Sequence, residues 1–249
     1  MALAGRTARP GPPWDTQLWV ASVALVAWSL VANLVVGEDG YLVRNVVLTG
    51  LLLAVARQWG LQLDELGLSR ERLGDGLRWG LGGVVVVAAA VALAVLIGDY
   101  VAPVGWFLDD DRADLPTGEV TYHALLRIPV GTAVFEEVAF RSLLLAVAAR
   151  WIGTRVGVDP WPAVLRAVVV GSLVFGLWHV GPTIVALEVN DLDPVSWVGI
   201  GAIVGAVVTT TVAGVVFCLL RLASGSLLAP VLVHWSTNAL GLLAASATG

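Results

Sequence analysis

Lysine is absent from this chain of 249 residues, and cysteine occurs once, at Cys218. A lone cysteine excludes an intramolecular disulfide framework and says nothing about redox compartment. Charge is scarce too: Asp, Glu, Lys and Arg make up only 13% of the residues. That is about half the share of an ordinary soluble domain, which excludes a conventional solvated surface. The 14 cations are all arginine, read as compositional bias, and the net charge of −5 comes mostly from a few acidic loops. Neither feature points to a charged macromolecular partner, and no nucleic-acid partner is expected.

Apolar sequence is what the chain has in excess: 58% hydrophobic residues and a mean hydropathy of +0.87. The expected fold is an all-α, polytopic transmembrane helix bundle. Runs at about 17–36, 42–57, 77–98, 121–149, 164–188, 196–220 and 225–246 give seven spans. The first follows Arg6 and Arg9 without a small-residue cleavage site, so it reads as a retained helix. Arg57, Arg70, Arg72, Arg78, Arg150, Arg155, Arg166 and Arg221 flank spans on one side. Glu38, Asp39, Asp99, Asp109, Asp110, Asp111, Asp114, Glu119, Glu188, Asp191 and Asp193 lie on the other, with Arg112 among them. Arg44 and Arg127 sit just inside the outer ends of their spans. The arginine bias places the N-terminus in the cytoplasm of a plasma-membrane protein. Residues 1–120 read as N-terminal transmembrane helices with a cytoplasmic surface segment at 61–75, too polar to span; residues 121–246 read as the catalytic core. Gly76-xxx-Gly80 and Gly201-xxx-Gly205 read as close-packing devices.

Three ionisable residues interrupt the fourth span: Glu136, Glu137 and Arg141. A charge at the bilayer centre costs about 2.5–3.5 kcal/mol on translocon scales, so this helix must face protein or water. Glu137 and Arg141 are four apart and share a face, which suits an ion pair. Glu136 points elsewhere and is the candidate general base. His179 precedes a Gly181-Pro182 helix break, and His234 and Asn238 are four apart on the last span. His123, near the outer end of the fourth span, is left out of the site. A carboxylate, two imidazoles and an amide in a wet pocket fit peptide hydrolysis. Glu136 would activate water, His179 would position it, and His234 with Asn238 would stabilise the oxyanion. A variant makes Glu136, His179 and His234 metal ligands with water in the open position. There is no His-Glu-x-x-His, Asp99 lacks one glycine of a Gly-x-Gly-Asp motif, and Ser224-Gly225-Ser226 reads as helix capping. Two other classes stay open: an ion- or proton-coupled transporter, and a non-hydrolytic immunity or scaffold protein.

Glu136-Glu137-xxx-Arg141, Phe175-xxx-His179 and His234-xxx-Asn238, in that order on successive apolar helices, resemble the motifs of the CPBP intramembrane endopeptidases. This family holds the type II CAAX prenyl proteases and the bacteriocin-processing or immunity proteins. The resemblance covers about residues 121–246, with Leu66-Gly67-Leu68 a weaker upstream likeness. It implies a catalytic Glu136 with Glu137 and Arg141 beside it, a water-polarising His179, and an oxyanion pair of His234 and Asn238. It also implies a membrane-associated peptide or protein substrate, prenylated or not, cut near its C-terminus, and eight spans where seven are counted. The family has been described both as zinc enzymes and as glutamate proteases. The second account, which requires no cofactor, is favoured here, with zinc the alternative.

Overall fold

The computed structural model describes residues 14–98, 100, 113–156 and 160–248; the side chains of 153–161, 163 and 248 are outside the description. The charge readings at Arg6, Arg9, Asp99, Asp109, Asp110, Asp111, Arg112 and Arg155 therefore lie outside the described residues. Among those described, every expected span is helical. Helix α1 is Trp14–Val31, widened into π-type turns over Ala32–Val36. Then come α2 (Tyr41–Gln58) and α3 (Leu73–Ile97). Residues 117–156 form one long rod, α4, with α-helical ends and wide π-type turns at His123–Val134 and Val138–Leu144. It is followed by α5 (Pro160–Trp178), α6 (Val180–Val189), α7 (Trp197–Ser224) and α8 (Leu228–Thr248).

Five stretches are long and apolar enough to cross a membrane: Trp14–Val36, Arg70–Ile97, Val164–Val189, Trp197–Ser224 and Leu228–Ala247. The other two expected spans, α2 and α4, carry the membrane arginines and acids. The chain is a polytopic helical membrane bundle. Its polarity is inverted relative to a soluble protein. Val85, Val86, Leu96, Trp197, Val198 and Val204 are exposed, while Glu136, Glu137, Arg141 and His234 are buried. In lipid that pattern is the stable one.

Helix ends follow local chemistry. Ser196 Oγ accepts the Gly199 N–H at 3.0 Å to start α7, and Gly225, at φ +67°, ends it. Ser226 Oγ then accepts the Leu228 N–H at 3.3 Å at the start of α8, the capping expected of Ser224-Gly225-Ser226. Helix α3 packs along α8 and α7 along α5, with α4 surrounded by α1, α2, α5 and α8. Gly80 permits the first contact, because a Cβ there would lie 2.6 Å from Leu232 Cδ1. Gly201 and Gly205 meet nothing within 4 Å among the described residues, so close packing inside this chain does not explain that pair.

Segment 61–72 joins α2 to α3 as turns ending in the short 3-10 turn Arg70–Arg72. It does more than rest on a surface. Leu61 and Leu66 are fully buried, and Ser142 Oγ of α4 donates to the Leu66 carbonyl at 2.5 Å. Arg221 of α7 donates to the carbonyls of Asp64 and Glu65, both at 3.0 Å. Gly67, at φ +73°, lies directly under that guanidinium, where a Cβ would fall 2.1 Å from Arg221 Nε. Only glycine fits both the conformation and the contact. The segment plugs one end of the bundle.

Candidate active site

Helix α4 supplies the acids. From Phe135 to Ala148 every residue of it is buried, whereas Arg127, Ile128, Pro129, Val130, Thr132 and Val134 are half-buried. The wide turns beside Glu136 depart from regular helix geometry, as such turns often do at functional sites. Adjacent in sequence, Glu136 and Glu137 reach different partners. Glu137 Oε1 is 3.1 Å from Arg141 Nη1 and 2.8 Å from His234 Nδ1. The ion pair expected from the four-residue spacing is thus formed, in full burial: 0% exposure for Glu137 and 1% for Arg141. Arg141 is further enclosed by aromatic faces, with its Cζ 3.9 Å from the Phe175 ring centroid and 4.9 Å from that of Phe217.

Glu136 accepts a hydrogen bond on Oε1 from the indole N–H of Trp178 at 3.1 Å. Its Oε2 is buried with no hydrogen-bond partner among the described residues and lies 3.8 Å from His234 Nε2. The imidazole of His234 therefore stands between the two carboxylates, stacked on Phe217 with centroids 5.1 Å apart. Sequence reasoning missed Trp178. Its signal was there: an indole one residue before the candidate histidine, too deep in its span for interfacial anchoring.

His179 lies at the joint between α5 and α6, with its N–H bonded to the Gly176 carbonyl at 3.0 Å. The sequence placed the break at Gly181-Pro182; the bend falls at His179, and Pro182 occupies the first turn of α6, where a missing N–H is tolerated. That proline would otherwise have donated to the Trp178 carbonyl. Ser29 Oγ of α1 takes over, donating to it at 2.5 Å. Because α6 runs on to Val189, His179 is near the middle of its span. Its Nδ1 is 2.7 Å from the Phe175 carbonyl and so carries a proton, leaving Nε2 as the nitrogen outside that hydrogen bond. The ring packs edge-on to Phe175, at 4.6 Å between centroids.

Asn238 stands one turn beyond His234 on α8, half-buried, and its carboxamide makes no hydrogen bond among the described residues. The structure thus brings Glu136, Glu137, Arg141 and His234 into direct contact, sets His179 against the shared Phe175, and leaves Asn238 as an uncommitted amide. His123 is apart, 3.4 Å from Arg127 Nη1. No three His, Cys, Asp or Glu side chains among the described residues are assembled as metal ligands. In His234 and His179 Nδ1 is held by Glu137 and by the Phe175 carbonyl, which leaves Nε2 of each ring as the nitrogen a metal would take.

Against known families, residues 119–240 match the family described as Type II CAAX prenyl endopeptidase Rce1-like. No curated protein and no solved structure matches the chain.

Proposed function

Because residues 119–240 belong to the type II CAAX prenyl endopeptidase family, an intramembrane protease family, we propose that this chain hydrolyses a peptide bond near the C-terminus of a membrane-associated protein or peptide, with water activated by Glu136. The observation that carries the reading is the asymmetry of the Glu136 carboxylate. One oxygen is held by Trp178 and the other is buried, unpartnered and 3.8 Å from an imidazole. A general base needs that arrangement: fixed orientation and one free lone pair within reach of water.

Glu136 Oε2 takes a proton from water, and the resulting hydroxide adds to the scissile carbonyl carbon. His179 Nε2 accepts a hydrogen bond from the remaining O–H of that water and fixes the direction of attack. The carbonyl oxygen becomes an oxyanion and accepts hydrogen bonds from His234 Nε2–H and the Asn238 amide. With Nδ1 held by the Glu137 carboxylate, donation from Nε2 in this scheme requires a proton on both ring nitrogens of His234. Glu136 then passes its proton to the leaving amine nitrogen as the C–N bond breaks. Arg141 and Glu137 touch no substrate in this scheme; they hold His234 in place. The plasma membrane, with the N-terminus cytoplasmic, is the proposed setting, on the arginine bias of the loops.

The test is cleavage of a quenched fluorescent peptide library, with and without a farnesylated cysteine near the C-terminus, by purified protein, Glu136→Ala and Asn238→Ala. Each is assayed with and without excess chelator. Cleavage that survives chelation and disappears in Glu136→Ala is expected, with Asn238→Ala losing about 10²–10³ in kcat while still binding substrate. Loss on chelation alone would make the zinc variant the better account. Absence of cleavage by folded protein would turn the weight to the scaffold or ion-relay readings.

A further inference from the structure

Two hydrogen bonds join α2 to the turn of α4 that precedes Glu136. Asn45, buried in an apolar helix, donates its amide Nδ2–H to the Gly131 carbonyl at 2.8 Å. Tyr41 OH shares a hydrogen bond with Thr132 Oγ1, also at 2.8 Å. Gly131 permits this approach, since a Cβ there would fall 3.0 Å from Tyr41 Cε1 and 3.3 Å from Leu42 Cδ1. The tyrosine ring is itself packed against two guanidinium groups, with Arg127 Cζ 4.3 Å and Arg44 Cζ 5.5 Å from its centroid. Helix α2 also packs on the turn Phe135–Glu137. Tyr41 and Asn45 lie outside residues 119–240, the segment that matches the endopeptidase family.

The contact falls where α4 changes register. Pro129 has no N–H to give, and its ring crowds the carbonyl four residues back. The rod takes wide turns over His123–Val134, and they end against a tight one in which the Phe135 N–H bonds to the Thr132 carbonyl. Wide turns are a rare form of helix, so the regular four-residue register competes with them at every step. At 3.6 residues per turn, a slip of one residue rotates everything beyond it by about 100°. Such a rotation would carry the Glu136 carboxylate off Trp178 and His234. Trp178 holds that side chain at one oxygen, Oε1, and does not reach the backbone that aims it. Asn45 and Tyr41 do, through Gly131 and Thr132, one turn before Glu136.

Resting on the endopeptidase reading above, we propose that Asn45 and Tyr41 of α2 are positioning residues for Glu136: they lock the wide turn at Gly131 and Thr132, and so fix the direction in which the general base leaves α4. Ordinary helix packing needs only apolar contact here. A buried amide spent on a single backbone carbonyl, at the residue where the register changes, is a device that specifies one register over the other.

The test measures kcat and KM of full-length protein in nanodiscs on a peptide that the wild type cuts, well below the thermal midpoint of each variant. Asn45→Leu keeps the volume and removes the donor. It should lower kcat about 10- to 10²-fold with KM within about twofold, the cost of misplacing a catalytic group by about an ångström. Tyr41→Phe should lower kcat less, about threefold, and Asn45→Gln, which keeps an amide donor, should recover part of the Asn45→Leu loss. In Asn45→Leu with Trp178→Phe the losses should combine to less than their product, because both act through one carboxylate. Wild-type kcat in Asn45→Leu, a change in KM alone, or losses that multiply in full would each overturn the proposal and leave the endopeptidase reading standing. If Asn45→Leu does not fold, Tyr41→Phe, with its ring retained, carries the same kinetic test alone and with Trp178→Phe. If wild-type protein cuts no peptide, that reading fails, and hydrogen exchange over residues 131–138 decides the register lock. A rise confined to that turn in folded Asn45→Leu supports it; exchange at the wild-type level, or a rise throughout α4, overturns it.

Discussion

Glu136 and Glu137 are neighbours with different surroundings, and substitutions should separate their roles. Trp178→Phe removes the indole N–H from Glu136 Oε1 while keeping a ring against Phe135 and Phe140, each 5.7 Å away between centroids. It should lower kcat about tenfold, the worth of one hydrogen bond to a charged group, with little change in thermal midpoint. Normal turnover by that variant would show that the indole does not position the base. Glu137→Ala should act first on folding. It strands Arg141 at 1% exposure without its acid, a loss of about 3–5 kcal/mol. The pair Glu137→Leu with Arg141→Met should restore much of the thermal midpoint in detergent and none of the cleavage. Recovery of cleavage would mean that neither residue positions His234.

At the scale of elements, the plug formed by segment 61–72 is the part most open to pH. Arg150 Nε donates to Glu65 Oε1 at 2.6 Å, and the Gln62 N–H donates to Glu65 Oε2 at 2.7 Å. Burial alone would raise the Glu65 carboxyl, but these hydrogen bonds and the Arg150 charge outweigh it, so the group lies below its ordinary value. A depressed acid contributes stability above its unfolded value of about 4.3, and that contribution disappears as pH falls through the lower folded value. The plug should therefore loosen below about pH 4. Hydrogen exchange across 61–69 should rise there ahead of the buried part of α4, and Glu65→Gln should show the faster exchange already at neutral pH. Exchange in Glu65→Gln that stays at the wild-type level would place the hold in the Arg221 and Ser142 contacts.

For the whole molecule, the open question of orientation has a direct readout. Cys218 is the single cysteine and is buried, so Cys218→Ala gives a silent background for single-cysteine variants. Asp64→Cys and Asp39→Cys lie at opposite ends of α2, both exposed. The arginine bias predicts that an impermeant thiol reagent applied to intact cells labels position 39 and spares position 64. The reverse pattern would invert the proposed topology and place the half-buried first part of α4 toward the cytoplasmic side.

Composition and hydropathy determined the all-helical membrane bundle and the approximate place of every span, because a bilayer admits few other structures and their lengths follow from its thickness. Motif spacing picked out Glu136, Glu137, Arg141, His179, His234 and Asn238, since such groups are rare in apolar helices. It also gave the Glu137–Arg141 pair, a contact within one helix. Contacts between helices distant in sequence were decided only by tertiary structure. Trp178 on Glu136, His234 between two carboxylates and Ser29 on the carbonyl freed by Pro182 depend on how rods pack and rotate. Segment 61–75 read as a polar surface stretch because its interspersed leucines do not say whether lipid or protein receives them, and its last three residues open α3. The bundle supplies that answer through Arg221 and Ser142, which bind its carbonyls and draw Leu61 and Leu66 inward.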